Sequence, residues 1–407
     1  MIVRRRILLG AFGDPGHAFP VMALGRRLAE RGHEVCVQTW LRWKVDVEAA
    51  GLRFEAAPEY PVFPQLGQEP LTPYEAAQRA TLDTLPLVDA FAPDVVVADI
   101  LTLGPALAAE LRGVPVATLV PHVDPRTEVG WPPFASGARI ARTRLGRAGW
   151  RRMGRLVDRA LDHGRDELNE VREQVGLPAL EHHHGGMSRD LVLIGSVPHL
   201  AYPRPTPLSN THTVGPFVWE PPADDVPLPE GDGPLVLVAP STSQDPDGTL
   251  LRAALRGLAD APVRVLAAQN RVSEAEIERL GPMEVPDNAL LVPWVSYGRT
   301  MPLADVVVCH AGHGTLLRAL SAGKPVIAVP ATGDMYENAA RLAWSGAGIR
   351  LPRRLAGARA LRTAVLQAVS DPSYAARAAE IAAWVAAGDG TDRGAPLVEA
   401  LAARGKG

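Results

Sequence analysis

Six residues, His310-Ala311-Gly312-His313-Gly314-Thr315, put two imidazoles, two glycines and a hydroxyl into one short stretch. Two kinds of chemistry fit them. Histidines can ligate a metal, or a turn stripped of side chains can let an anion reach backbone amides. A tetrahedral zinc site needs further ligands, and no cluster of cysteines or carboxylates lies nearby in the sequence. The apolar VVVC before the stretch and LLRALSAG after it frame a strand-to-helix junction. At such a junction Gly312 and Gly314 uncover amides, the helix dipole favours phosphate, and Thr315 can cap the helix while offering a hydroxyl. An ordinary strand–helix turn with incidental histidines is the plainer alternative. Two other strings look like metal motifs. Asp245-Pro246-Asp247 follows a strand and reads as a turn with helix-capping acids, and His182-His183-His184 reads as solvated loop histidines. Neither is assigned a role, and no metal is expected.

The elements that must position this junction show as an alternation. RILLGA (6–11), EVCVQT (34–39), the segment 53–57, DVVVA (94–98) and VPVATLV (114–120) read as strands. Between them, PVMALGRRLAER (20–31) and PALAAELRG carry helical spacing. This rhythm predicts βαβ units, a mostly parallel sheet and right-handed crossovers. Residues 203–234 are rich in proline and acids, which predicts an interdomain linker without a regular element. The alternation restarts with PLVLVAP, VRVLAAQ, ALLVPW, DVVVCHAG and PVIAVP. Residues 374–403 are alanine-rich and read as helical, broken at 388–394. The expected organisation is α/β. A first α/β domain spans 1–205 and a linker 206–233. A second α/β domain spans 234–373, followed by a helical tail over 374–407.

Several spaced motifs, in order, resemble one family. Trp294-Val295-Ser296-Tyr297, the stretch 310–315, Pro330, and Asp334-Met335-Tyr336-Glu337-Asn338-Ala339 resemble the nucleotide-sugar signature of GT-B glycosyltransferases. More narrowly, the chain is similar to family-1 enzymes that glycosylate actinobacterial natural products. The resemblance implies two Rossmann-like domains facing each other across a cleft: 1–205 binds the acceptor, 234–373 binds the nucleotide sugar, and the tail 374–407 packs back on the first domain. It implies that Trp294 stacks on the donor's pyrimidine while the Val295 backbone reads its edge. His310, Thr315 and the amides of Gly312, His313 and Gly314 would hold the diphosphate, with Ser241, Thr242 and Ser243 as a hydroxyl loop beside it. Asp334 would bind sugar hydroxyls. Two positions depart from the family, which often has Gln where Tyr297 and Met335 stand. A thioether neither donates nor accepts well, so Met335 suits a less hydroxylated sugar. TDP-deoxysugars are therefore favoured over UDP-sugars as donor, and no cofactor beyond that co-substrate is implied.

The resemblance extends to Gly13-Asp14-Pro15-Gly16-His17-Ala18-Phe19-Pro20, placed between the first strand and the first helix. The family's histidine in this turn is the general base. Independently, a histidine titrating near neutrality suits removal of the proton that an alcohol loses as it attacks an anomeric carbon. Asp99 stands where the resemblance puts a carboxylate partner that fixes the tautomer and stabilises the resulting charge. Asp94 opens the same strand and reads as a structural cap. On the acceptor side, Phe63, His122, Trp131 and Phe134, with their flanking prolines, fit an apolar groove for a small hydrophobic aglycone, or else core and lid.

Composition bounds the rest. The chain has 407 residues, too many for one core, and an ordinary soluble balance of 47% apolar and 21% charged residues. A formal net charge of -3 argues against nucleic acid or an acidic membrane as partner, and no apolar run is long enough for a membrane span. The arginines of ARIARTRLGRAGWRRMGRLVDR (138–159) have helical spacing and read as a solvated face. Cys36 and Cys309 sit in apolar runs as small core residues, which fits a reducing, cytoplasmic setting. Monomer and homodimer are both open. Two other functions fit the resemblance: a nucleotide-sugar epimerase on the same fold, which would need more acid/base groups around the sugar, and a non-catalytic accessory protein. His17 together with Asp99 argues for transfer.

Overall fold

The structure, a computed structural model, describes residues 3–60, 71–182, 186–221, 225–241, 245, 247–270, 277–278 and 280–404. The first half is a seven-stranded sheet of β1 (Arg6–Gly10), β2 (Glu34–Thr39), β3 (Arg53–Ala56), β4 (Val95–Asp99), β5 (Val116–Val120), β6 (Leu191–Ile194) and β7 (Thr211–Thr213), in the order β3-β2-β1-β4-β5-β6-β7. The second half is a six-stranded sheet of β8 (Leu235–Ala239), β9 (Arg264–Ala268), β10 (Ala289–Val292), β11 (Val306–Cys309), β12 (Val326–Ala328) and β13 (Gly348–Arg350), in the order β10-β9-β8-β11-β12-β13. The pairs β1–β2, β1–β4, β8–β9 and β8–β11 are all parallel. Helices cover both faces, so the central strands are buried throughout and read as continuous apolar runs rather than alternating ones.

In each half the strand order reverses at the central strand, between β1 and β4 and again between β8 and β11. Ligands of open α/β sheets bind beyond the carboxyl ends of the strands at this reversal, where neighbouring connections leave to opposite faces and open a crevice. The loops after β1, β4, β8 and β11 therefore carry the chemistry.

The longer helices are α1 (Pro15–Glu30), α2 (Pro73–Phe91), α3 (Leu103–Leu111), α4 (Arg144–Val175), α5 (Thr249–Leu258), α6 (His313–Ser321), α7 (Asp334–Ser345), α8 (Ala358–Ser370), α9 (Pro372–Ala386) and α10 (Gly390–Arg404). Three features of the fold differ from the sequence expectation. α1 begins at Pro15, five residues earlier than the apolar spacing suggests, because Pro15 suits a first helical turn and Pro20 costs only one backbone hydrogen bond. His17 thus stands in the helix's first turn. Thr211–Thr213, inside the segment expected to be structureless, is the edge strand of the first sheet: a three-residue polar strand has no apolar signature to read. The tail is broken only at residues 387–389, and Gly394 lies inside α10, whose surface there is filled by the Phe217 ring.

The tail also joins the halves. α9 packs on α6 in the second half, whereas Ala395, Val398, Leu401 and Ala402 of α10 enter the core of the first. Arg31 makes two hydrogen bonds to Glu399 (2.5 and 2.7 Å), and His33 donates to the same carboxylate (2.8 Å). Both cysteines are free and buried, and burial pushes both thiols up to about 12. Among the described residues no helix is long and apolar enough to cross a membrane.

Candidate active site

A cleft of about 780 Å³ lies between the halves, lined by loops from both sheets. On the first-half side, α1 points its amino end into the cleft and carries His17. The imidazole Nδ1 is 2.7 Å from Oδ1 of Asp99, the last residue of β4. Asp99 is buried, and its other oxygen accepts from the Leu101 amide and the Thr102 hydroxyl, both at 3.3 Å. A carboxylate fixed in this way accepts the Nδ1 proton and leaves the Nε2 lone pair as the basic site. Burial pulls the His17 pKa down, but the charge and hydrogen bond of Asp99, with Asp14 and Asp334 behind them, lift it above the ordinary 6.5.

The turn before His17 is braced by residues that sequence reasoning passed over. The Gly13 carbonyl accepts from the Trp43 indole (2.7 Å) and from the Arg42 guanidinium, which stacks over Trp40 and Trp43 with ring-centre distances of 5.0 and 5.1 Å. A Cβ on Gly13 would stand 2.0 Å from the Trp40 ring, so only glycine fits. Phe19 meets Trp43 at 5.0 Å and Trp219 at 4.8 Å. The signal in the sequence was the dense Trp40-Leu41-Arg42-Trp43 string directly after a buried strand.

On the second-half side, β11 runs into Ala311, Gly312 and α6. Ala311 holds a left-handed φ of 60°, an unfavourable value for a residue with a Cβ. Its cost is met locally: its amide donates to Cys309 Sγ and its carbonyl accepts from Asn338. The helix starts at His313 with Gly312 as its cap, so Thr315 lies in the first turn and is not the cap expected of it. Nothing stands within 4 Å of a Cβ built on Gly314, and only Met335 reaches 4.0 Å from one on Gly312. Gly312, His313, Gly314 and Thr315 all line the cleft, so the start of α6 opens onto it, an arrangement that suits an anion.

His310 is buried and accepts from the Ser241 amide through Nδ1 (3.0 Å), so Nε2 carries its proton, 3.9 Å from Asp245. Burial, against the Asp245 charge, lowers its pKa. The imidazole thus joins the loops after β8 and β11. The Asp245 carboxylate accepts from the Leu250 amide at the start of α5 (3.2 Å). Ser241 lines the cleft, while Thr242 and Ser243 lie outside the described residues.

Trp294 and Val295 follow β10 at the cleft edge, Trp294 partly exposed and Val295 buried. The Tyr297 hydroxyl accepts from Asn270 (2.7 Å) and bonds Thr315, so it serves the protein's own network. Asn270, left-handed at φ 55° after β9, is a cleft residue the sequence reading missed; a polar residue closing an apolar strand was its signal. Glu220 of the linker accepts from the Ser296 hydroxyl (2.7 Å) and the Gly298 amide (3.0 Å) and pairs with Arg318. Asp334 and Met335 open α7 on the cleft, with Asp334 accepting from Asn338 (3.1 Å).

The expected acceptor residues are separated. His122 lines the cleft, its Nδ1–H donating to the Val123 carbonyl (2.8 Å), and burial lowers its pKa. Phe134 stacks on His122 at 5.8 Å but lines a different, apolar cavity of about 440 Å³ against α4. Trp131 turns away to meet Tyr202 at 5.5 Å in a third cavity of about 300 Å³. Left-handed turns at Gly130, Ala135 and Gly137 split a segment that looks continuous in sequence. Phe63, His183 and His184 lie outside the described residues. Among the described residues no group of three or more His, Cys, Asp or Glu side chains is placed to hold a metal ion.

Known proteins share this architecture and sequence. The erythromycin biosynthesis protein CIII-like C-terminal domain family matches residues 267–394. The chain is 30% identical to a 4'-demethylrebeccamycin synthase from Lentzea aerocolonigenes, over 97% of this chain and 99% of that protein. It is also 30% identical to an O-mycaminosyltylonolide 6-deoxyallosyltransferase from Streptomyces fradiae, over 97% of each. Among solved structures, the glycosyltransferase VinC in complex with dTDP superposes with a TM-score of 0.70, at 21% identity, over 98% of this chain and all of that one.

Proposed function

We infer the reaction from one premise: the chain belongs to the GT-B glycosyltransferases of antibiotic biosynthesis, and is a hexosyl-transferring enzyme. The proposed substrates are a TDP-deoxysugar and a small hydrophobic aglycone with a free hydroxyl. The observation that carries this reading is the 2.7 Å His17–Asp99 pair facing, in one cleft, the uncovered amides at the start of α6.

In this mechanism His17 Nε2 takes the proton of the acceptor hydroxyl. The oxygen attacks the anomeric carbon from the face opposite the diphosphate, the carbon–phosphate-oxygen bond breaks with its electron pair, and the anomeric centre inverts. Asp99 stabilises the imidazolium that forms. The α6 amides and helix dipole, with the Ser241 loop and Thr315, meet the charge that develops on the leaving diphosphate. Trp294 offers a stacking face for the base and Asp334 acceptors for sugar hydroxyls. Met335 presents a thioether where a hydroxyl-rich sugar would need a hydrogen-bonding partner, which supports the deoxysugar. The aglycone would lie against Phe19, Arg42, Trp43 and His122, the cleft-lining groups around His17.

Titration calorimetry of the purified protein with TDP and UDP, metal-free and then with magnesium, tests this. Metal-free binding with TDP preferred is expected. A preference for UDP removes the deoxysugar assignment but keeps the transferase. Failure to bind either nucleotide overturns the reading of the α6 turn.

A further inference from the structure

We propose that the His313 side chain is a positioning residue that ties closure of the two halves to occupancy of the sugar end of the donor site. The role is distinct from that of its backbone amide and rests on the donor-binding reading above. His313 opens α6 in the second half and is buried. Its Nε2 lies 3.0 Å from the carbonyl of Gly195, which follows β6 in the first half. The helix that presents the phosphate-facing amides is thus hydrogen-bonded directly to the opposite domain. A Cβ on Gly195 would come within 3.1 Å of the Val120 carbonyl and 3.2 Å of the Phe217 ring and Pro121. That crowding holds the carbonyl in place between the first sheet and the linker.

The other ring nitrogen leads to the donor side. His313 Nδ1 lies 3.2 Å from Asn338 Oδ1, and Asn338 is fully buried. The Asn338 amide nitrogen donates to the Ala311 carbonyl (3.0 Å) and to Asp334 Oδ2 (3.1 Å). Asp334 lines the cleft. One chain of contacts therefore runs Gly195–His313–Asn338–Asp334, with the left-handed Ala311 as a side branch.

Oxygens at both ring nitrogens would suit an imidazolium, but burial, with His122 nearby, pushes the His313 pKa down to about 4. A neutral ring has one proton, and the shorter contact, to Gly195, takes it. Nδ1 then meets Asn338 Oδ1 without a proton between them. The amide keeps that orientation because its nitrogen is committed to Ala311 and Asp334. A sugar hydroxyl that engages Asp334 alters one of those two commitments, and so alters what His313 meets while it grips Gly195. Two sites coupled through one buried amide in this way should respond to each other.

The test uses the intact chain with Leu82→Cys and Leu355→Cys labelled as a fluorescence distance pair, one exposed site in each half. Native Cys36 and Cys309 are buried, so the labels go to the introduced thiols. Distance and affinity are measured with TDP and with TDP-rhamnose in this background, in His313→Ala and in His313→Gln. Gln can place an amide N–H near the Nε2 position and reach Gly195. Unsubstituted His313 and Gln are expected to close further with TDP-rhamnose than with TDP. Ala should lose the extra closure and, read as the ratio of TDP-rhamnose to TDP affinity within each protein, about five-fold or more of the affinity that the sugar adds. If Ala closes as His313 does, or loses TDP and TDP-rhamnose affinity equally, the coupling is refuted. If the Ala variant does not fold, His313→Asn, too short to reach Gly195, must show the same selective loss, and normal closure in it refutes the proposal. TDP failing to bind even with His313 present overturns the donor-site reading itself, a separate outcome.

Discussion

His17 can accept a proton only when its Nε2 is unprotonated, and Asp99 raises the pH at which that holds. Transfer should therefore climb as pH rises through a value above 6.5 and level off beyond it. Asp99→Asn removes the charge that lifts this pKa while keeping an oxygen for Nδ1–H. The acid limb should move to lower pH and the plateau should fall on the order of 10²-fold or more, because the imidazolium loses its counter-charge. His17→Ala should stop transfer and leave TDP affinity nearly unchanged. A pH–rate profile across the three proteins checks both, and an unmoved limb in Asp99→Asn would separate Asp99 from the base. Met335 makes the second argument at this scale. Met335→Gln restores a hydrogen-bonding side chain beside Asp334, so relative kcat/KM should shift about ten-fold toward fully hydroxylated donors. A flat donor profile would remove Met335 from the choice of sugar.

At the scale of elements, what was legible in the sequence follows from burial. β1, β4, β8 and β11 are covered on both faces, so they read directly as ILLG, VVVA, LVLVA and VVVC, and their carboxyl ends hold or lead directly to His17, Asp99, Ser241 and His310. β7 escaped because three polar residues at a sheet edge bury almost nothing. The aromatic wall around His17 escaped for another reason. Phe19, Trp43 and Trp219 come from α1, from the segment after β2 and from the linker, and no linear period brings them together. The crossing of the two interdomain passages was equally invisible. Gly390 at the start of α10 lies against the linker, where a Cβ would stand 2.5 Å from the Gly215 carbonyl and 2.9 Å from that of Pro216. Gly390→Ala must push two backbones apart and should cost about 1–3 kcal/mol. Gly149→Ala, in the exposed second turn of α4 with nothing within 4 Å, should instead gain about 0.5–1 kcal/mol. Urea melts of the pair check the contrast, and equal midpoints would mean the crossing is slack.

Across the whole molecule, three histidines at the interface of the halves share one electrostatic condition. Burial lowers the pKa of His122, His310 and His313, the last to about 4, whereas the unfolded chain titrates near 6.5. A group with a depressed histidine pKa favours folding above 6.5 and loses that contribution as pH falls toward its folded value. His17 has the opposite sign: its stabilisation is present below 6.5 and is lost as pH rises through its raised pKa. Glu337, raised by burial, also favours folding on the acid side of its shifted pKa. The lowered carboxylates Asp124 and Glu399 lose their contribution only below their ordinary values of 3.8 and 4.5. Between pH 6.5 and 4.5 the His17 contribution is already complete, so only Glu337 opposes the three buried histidines, and His313 alone carries on the order of 3 kcal/mol across its full window. Thermal stability should fall through that range. His313→Gln, which keeps an amide for Gly195 but cannot titrate, should flatten the fall while changing the melting temperature little at pH 7.5. Calorimetric melts from pH 4.5 to 8 measure both slopes, and an acid loss of equal steepness in the Gln variant would assign it to groups other than the ring that joins the halves.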